Sequence, residues 1–179
     1  MRRYVCLVLA LLSGGAGAHP VDEMVQGAYL TLTPGAVQLE LDLTPGVQVS
    51  APVLKSLDAN ADERVTSAEA RVFAVRVLAQ STLTLNGAAV RWTVDEVTVP
   101  PFQNLKLGSD TIKIYATAKR PDQPGAGTLV YQNRYQPVKS QWTANVFLQP
   151  AAGWNYAVTG QSRSNDGRQL AVKYRITRL

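Results

Sequence analysis

Short stretches of alternating apolar and polar residues, separated by turn residues, constrain the fold of this chain more than any other feature. The segment YLTLTPGAVQLELDLTPG alternates on both sides of Pro34-Gly35, and TLTLNGAAVRWTVDEVTV alternates around Asn86-Gly87. Alternation with a period of two places apolar side chains on one face of a strand, and both dipeptides favour tight turns between antiparallel strands. The sequence therefore predicts two β-hairpins.

Further segments repeat this strand pattern between turn-rich stretches. They are TIKIYATAK, TLVYQNRY, TANVFLQ, NYAVTGQS and QLAVKYRIT. Together with the hairpins they amount to about nine short strands at regular spacing, which is typical of a β-sandwich. We therefore predict a mainly β fold, an antiparallel β-sandwich, and expect residues 19–179 to form a single domain.

One interval breaks the alternation and has the composition of two short helices. Ser50 and Pro52 favour a helix start that continues through Leu57, and SAEARVFAVRVLAQS combines good helix formers with an apolar set. The pair, at about residues 50–81, is too small to bury a core of its own. We expect a helix-loop-helix excursion inserted in the sandwich.

The loop between the two predicted helices has oxygen-bearing residues at the spacing of a calcium site. DANADERVTSAE, from Asp58 to Glu69, matches the EF-hand pattern D-x-[DN]-x-[DN]-G-x5-E at every ligand position and departs from it at Glu63, where the pattern has glycine. The resemblance covers twelve residues and implies one bound Ca²⁺. The predicted ligands are the side chains of Asp58, Asn60, Asp62, Thr66 and Glu69 and the backbone carbonyl of Arg64.

Departures from the EF-hand pattern predict a weak site. A residue other than glycine at position 63 pays of order 1 kcal/mol for a left-handed turn, the first helix is short, and a second loop is missing. We expect a dissociation constant on the order of 10⁻⁴ to 10⁻³ M and a structural role. The alternative is a metal-free turn in which Thr66 and Glu69, spaced as T-x-x-E, form a capping box.

The first residues, MRRYVCLVLALLSGGAGA, have the composition of a secretory signal peptide. A basic start precedes a short apolar run and small residues, which predicts cleavage after Ala18. The apolar run is too short to span a membrane, and no later stretch approaches the roughly 20 apolar residues that a span needs. We therefore expect a secreted or periplasmic protein with no membrane span in the mature chain.

The chemistry-bearing residues argue against catalysis. The chain has one histidine, His19, and its one cysteine, Cys6, belongs to the predicted signal peptide. Thiol catalysis and a Cys/His zinc site are excluded for the mature chain, and a copper site built on His19 lacks a second histidine. No nucleophile elbow, P-loop or dinucleotide fingerprint is present, so we predict that the protein is not an enzyme.

The charges favour a second, alternative function. Residues 19–70 have a net charge of -6 and residues 71–179 a net charge of +9. The +5 of the full sequence falls to +3 without Arg2 and Arg3, which is too mild to indicate nucleic-acid binding. In the basic part, YQNRYQPVKSQW, from Tyr131 to Trp142, gathers aromatic, basic and amide side chains. On an exposed sheet face these would suit a glycan or an anionic cell-envelope polymer, whereas aromatic residues on strands more often lie in a core.

Three segments together resemble a family of uncharacterised bacterial exported proteins. They are HPVDEMVQGAYLTLTPGAVQLELDLTPG, the EF-hand-like loop, and NRYQPVKSQW followed by VTGQ. The resemblance covers most of the mature chain and implies export, but no particular activity. We therefore predict an exported, non-enzymatic calcium-binding protein, with a polymer-binding or glycan-binding module as the alternative.

Overall fold

The computed structural model describes residues 21–179, which form ten strands and three short helices. The strands are β1 Met24–Thr33, β2 Ala36–Pro45, β3 Ser81–Leu85, β4 Ala88–Val90, β5 Thr93–Thr98, β6 Ile112–Lys119, β7 Gly125–Asn133, β8 Ser140–Leu148, β9 Trp154–Arg163 and β10 Gln169–Arg178. The helices are α1 Ser50–Leu57, α2 Ser67–Leu78 and α3 Phe102–Lys106, with a 3₁₀ turn at Val47–Val49. The predicted signal peptide, its cleavage site after Ala18 and His19 lie outside the described residues.

The strands form two five-stranded sheets in a sandwich-like arrangement. Their orders are β5-β6-β2-β1-β8 and β4-β3-β7-β10-β9. The second sheet is antiparallel, but the first is mixed because β8 runs parallel to β1, with Met24 opposite Ser140 and Leu32 opposite Leu148. The mainly β prediction is confirmed, and the expectation of antiparallel sheets alone is corrected. Alternation shows which face of a strand is apolar, but neither its partner nor their relative direction.

Both predicted hairpins are present. Strands β1 and β2 pair antiparallel across Pro34-Gly35, and β3 and β4 pair across Asn86-Gly87. Asn86 and Gly87 have φ angles of 51° and 82°, as a two-residue turn of the mirror-image type requires. The turn residues therefore predicted both connections correctly, but the second hairpin is shorter than expected: it ends at Val90, and Thr93–Thr98 forms β5 in the other sheet.

One hydrophobic core joins the inner faces of the two sheets and the helices. It includes Leu30, Leu39, Leu41 and Ile114 from the first sheet, Leu83, Tyr131 and Leu170 from the second, and Leu54, Phe73 and Val77 from the helices. Helices α1 and α2 lie where the sequence predicted them, and both contribute buried side chains. The loop between them therefore starts and ends on elements that are packed against the sandwich.

A third helix completes the surroundings of this loop. Helix α3 was not predicted, because it has five residues and follows two prolines that interrupt any helical periodicity. It lies between β5 and β6 and contacts α1. None of the helices within residues 21–179 has the length and apolar character that a membrane crossing requires.

Candidate calcium-binding loop

The loop from Asp58 to Thr66 is anchored to the core at both ends. Leu57, the last residue of α1, is buried, and Val65 packs against the core cluster. Asp58 caps the carboxyl end of α1 and is only 4% exposed, whereas most of the loop faces solvent. The loop is therefore a solvent-facing arch with fixed ends and one buried carboxylate.

The buried carboxylate of Asp58 binds the backbone on the far side of the loop. Its Oδ1 accepts the N–H of Asp62 at 3.2 Å, and its Oδ2 accepts the N–H of Glu63 at 2.9 Å. These bonds satisfy a group that would otherwise be costly to bury. Because each carboxylate oxygen has two lone pairs, both oxygens keep capacity for a further partner such as a cation.

Asn60 and Asp62 lie side by side within the same turn. The Asn60 amide donates to Asp62 Oδ2 at 3.1 Å, and Asn60 Oδ1 accepts the Asp62 N–H at 3.1 Å. Asp62 Oδ1 accepts the N–H of Arg64 at 2.9 Å. The residues at the first, third and fifth ligand positions are thus linked through one set of hydrogen bonds.

The backbone turns sharply at the residue where the EF-hand pattern has glycine. Glu63 has a φ of 58°, and Ala61 has a φ of 59°. This left-handed conformation is the one that glycine adopts without steric cost, and another residue pays of order 1 kcal/mol for it. The loop therefore makes the turn that the pattern requires although the sequence lacks the glycine.

Thr66 and Glu69 form the predicted capping box at the start of α2. Thr66 Oγ1 accepts the N–H of Glu69 at 3.3 Å, and Glu69 Oε2 accepts the N–H and the hydroxyl of Thr66 at 3.0 and 2.8 Å. The N–H of Thr66, its hydroxyl and the N–H groups of Ala59 and Asn60 lower the pKa of the Glu69 carboxyl below its usual 4.5. Glu69 is therefore ionised at neutral pH and lies close to the first residues of the loop.

Glu69 can take part in the capping box and still offer an oxygen atom to a calcium ion. Both bonds from Thr66 end on Oε2, so Oε1 lies outside the capping box. A calcium ion could bind Oε1 without disturbing these bonds, whereas bidentate binding would require the Thr66 hydroxyl to turn away from Oε2, which accepts two hydrogen bonds here. The local structure that the metal-free alternative predicted is present, and it leaves this ligand available.

The acidic side chains do not converge on one point in the conformation described. Within residues 21–179, no three His, Cys, Asp or Glu side chains are grouped closely enough to hold a metal ion. The other predicted ligands, Asn60, Arg64 and Thr66, would supply amide, carbonyl and hydroxyl oxygens. These donors suit a hard cation such as Ca²⁺, and binding would require Asp62 to turn from the backbone N–H of Arg64 toward the ion.

The side chain of Glu63 has a role that sequence reasoning missed. Its Oε2 accepts a hydrogen bond from the Gln103 amide at 2.9 Å, and its Oε1 lies 3.3 Å from Lys106 Nζ. Both partners belong to α3, which is separated from the loop in the chain by α2 and the three strands β3, β4 and β5. The unusual residue at the glycine position was the available signal, but its partners are too distant in sequence to be predicted.

In the segment proposed for polymer binding, the aromatic side chains are buried or half-buried, while Arg134 and Lys139 are exposed. Tyr131 and Tyr135 are buried, and the Arg168 guanidinium lies 3.8 Å from the ring centre of the half-buried Trp142. Burial raises the pKa of Tyr135 to about 12, which reflects its apolar surroundings. Within the described structure, this segment presents no exposed aromatic face.

Comparisons with known proteins gave no match: no family model, no curated protein and no solved structure matches this chain. The resemblance to bacterial exported proteins therefore stays a prediction. A functional conclusion has to rest on the geometry of the loop between α1 and α2.

Proposed function

We propose that the protein is an exported, non-enzymatic calcium-binding protein with one weak EF-hand-like site in the loop from Asp58 to Glu69. The ion would be bound by the side chains of Asp58, Asn60, Asp62, Thr66 and Glu69 and by the carbonyl of Arg64. The fold in this proposal is a β-sandwich with an inserted helix-loop-helix. Calcium would stabilise that insertion.

The observation that most supports the proposal is the left-handed backbone of Glu63, with its φ of 58°. Strained backbone persists where the surrounding structure maintains it, and such outliers concentrate at ligand sites. Here the strained residue stands at the sixth position of a loop whose ligand positions all hold suitable oxygens. A capping box alone explains Thr66 and Glu69 but requires no such turn three residues earlier.

A structural role follows from how the loop is attached. Both flanking helices contribute buried side chains to the core, so an ion at the loop would tie α1 to α2. Ligand binding stabilises the folded state by mass action, by about 1.4 kcal/mol when free calcium is ten times the dissociation constant. The weak affinity of extracellular calcium modules, on the order of 10⁻⁴ to 10⁻³ M, fits three carboxylates and a turn without glycine.

Calcium titration of the wild type and of Glu69→Gln tests the proposal. We expect saturable heat in calorimetry, a rise in melting temperature at millimolar calcium, and at least about tenfold weaker binding in Glu69→Gln because a bidentate carboxylate is lost. Glutamine still accepts in a capping box, so the variant keeps the start of α2. Glu96→Gln, at an exposed position of β5, serves as the matched control and should bind calcium like the wild type. The absence of calcium-dependent heat and of any thermal shift would overturn the proposal.

A further inference from the structure

Among the described residues, the side-chain hydrogen bonds between α3 and the candidate loop all end on Glu63. We infer that α3 contributes to calcium binding by the loop: Gln103 positions Glu63 and thereby stabilises the loop turn in the conformation that binds the ion. The calcium readout of this inference rests on the proposed function. A second readout, in calcium-free buffer, does not.

Two donors on one face of α3 hold the Glu63 carboxylate. Gln103 donates to Oε2 at 2.9 Å, and the Lys106 ammonium lies 3.3 Å from Oε1. The two residues are three positions apart on the helix, which places them on the same face. The carboxylate is thus held at both oxygens, which restricts its rotation.

The backbone of the same residue holds the first calcium ligand. The Glu63 N–H donates to Asp58 Oδ2 at 2.9 Å, and the residue has its left-handed φ of 58°. Glu63 is therefore attached through its side chain to α3 and through its backbone to Asp58. Fixing the side chain restricts the backbone to the turn that points two amides at Asp58.

Helix α3 is a firm anchor for this purpose. Leu105, between the two donors, is fully buried in the core. The hydroxyl of Ser50, the first residue of α1, donates to the Lys106 carbonyl at 3.2 Å. Because α3 is attached both to the core and to α1, its contacts with Glu63 connect the loop to the rigid part of the molecule.

Both contacts between α3 and Glu63 are exposed to solvent, with the Lys106 and Glu63 side chains 53% and 55% exposed, so each is expected to contribute less than about 1 kcal/mol. A loop that is already ordered pays less when it binds, so the arrangement would offset part of the affinity lost by the missing glycine. A glycine at position 63 would make the turn without help from α3.

A double-mutant cycle of Gln103→Leu and Glu63→Gly tests the inference, because Gln103→Leu removes the donor without changing charge. Two quantities are measured. They are the calcium dissociation constant and, in calcium-free buffer, the hydrogen-exchange rates of the Asp62 and Glu63 amides. In the wild-type background, Gln103→Leu should raise the dissociation constant and the two exchange rates by about 2- to 5-fold. In the Glu63→Gly background it should change either by less than about 1.5-fold. Gln80→Leu, at an exposed glutamine after α2, is the matched control and should change neither.

Each outcome decides the question. If Gln103→Leu leaves loop exchange and calcium affinity unchanged, or acts equally in both backgrounds, the inference is wrong. If the wild type shows no calcium heat, the proposed function fails. The exchange of the two amides then still decides whether α3 holds the turn.

Discussion

Gly167 illustrates how one residue can be required for two independent reasons. It lies in the turn between β9 and β10 with a φ of 74°, and a Cβ atom there would lie 2.1 Å from the carbonyl oxygen of Trp142. Gly35, between β1 and β2, has a similar φ of 72° but no neighbour within 4 Å of such a Cβ. The sequence SNDG predicted a turn at Gly167, but the close approach to β8 depends on how the sheets are assembled.

We predict that Gly167→Ala destabilises the protein more than Gly35→Ala does. Gly35→Ala should lower the free energy of unfolding by about 1 kcal/mol, because the left-handed backbone is the only unfavourable feature for alanine there. Gly167→Ala should cost a further 2 kcal/mol or so, because the backbone of Trp142 must also move. Urea unfolding measures both values, and equal losses in the two variants would contradict the close approach.

At the scale of the element, local sequence patterns account for α2 better than for α3. The start of α2 was predicted from Thr66 and Glu69, whose reciprocal hydrogen bonds involve residues three positions apart. Helix α3 has no capping side chain and holds its place through the buried Leu105 and through contact with α1. A helix stabilised by its own first turn can be predicted from sequence, whereas one stabilised by distant contacts cannot.

The capping box gives a prediction for α2 as an element. In calcium-free buffer, Thr66→Ala should lower the free energy of unfolding by about 1 kcal/mol, because the N–H of Glu69 loses its acceptor. Thr66→Ser keeps the hydroxyl and should stay close to the wild type. The comparison is made by chemical denaturation, and equal stability of the alanine and serine variants would show that the box contributes nothing.

Over the whole molecule, a buried polar network links the two sheets. Gln26 of β1 donates to the carbonyl of Tyr135 at 2.9 Å and accepts from the Asn133 amide of β7 at 2.9 Å. The N–H of Tyr135 in turn donates to Asn133 Oδ1. Gln26 and Asn133 are 1% and 3% exposed, so water does not replace these bonds readily. The network therefore fixes how the first sheet lies on the second.

Replacing Gln26 by leucine should be costly for this reason. The change leaves the Asn133 amide and the Tyr135 carbonyl buried with one partner fewer each, and we expect a loss of about 2 to 3 kcal/mol. Gln38→Leu, at an exposed position on β2, should change stability by less than about 0.5 kcal/mol. Urea denaturation of both variants measures the difference, and a near-neutral Gln26→Leu would mean that the network does not hold the sheets together.

Charged residues are distributed unequally between the two sheets. The strands of the second sheet contain Arg163, Lys173, Arg175 and Arg178 and no acidic residue. The strands of the first sheet contain Glu40, Asp42, Asp95 and Glu96, with Lys113 paired to Glu40 and Asp42. Burial raises the pKa of Asp42 despite the pairing with Lys113. Asp95 and Glu96 come from the basic part of the chain, so the strand order, and not the position along the sequence, decides which sheet contains the acidic residues.

Local patterns were sufficient for the parts of this protein that depend on neighbouring residues. Alternation predicted the strands, the Pro34-Gly35 and Asn86-Gly87 turns predicted the hairpins, and residue spacing predicted the helices and the capping box of Thr66 and Glu69. Four features depended on long-range packing instead: the parallel pairing of β8 with β1, the position of α3, the partners of Glu63 and the burial of Tyr131. Strands with the same alternation can pair in many orders, and side-chain partners tens of residues apart meet only once the core has formed, so these features required the folded structure.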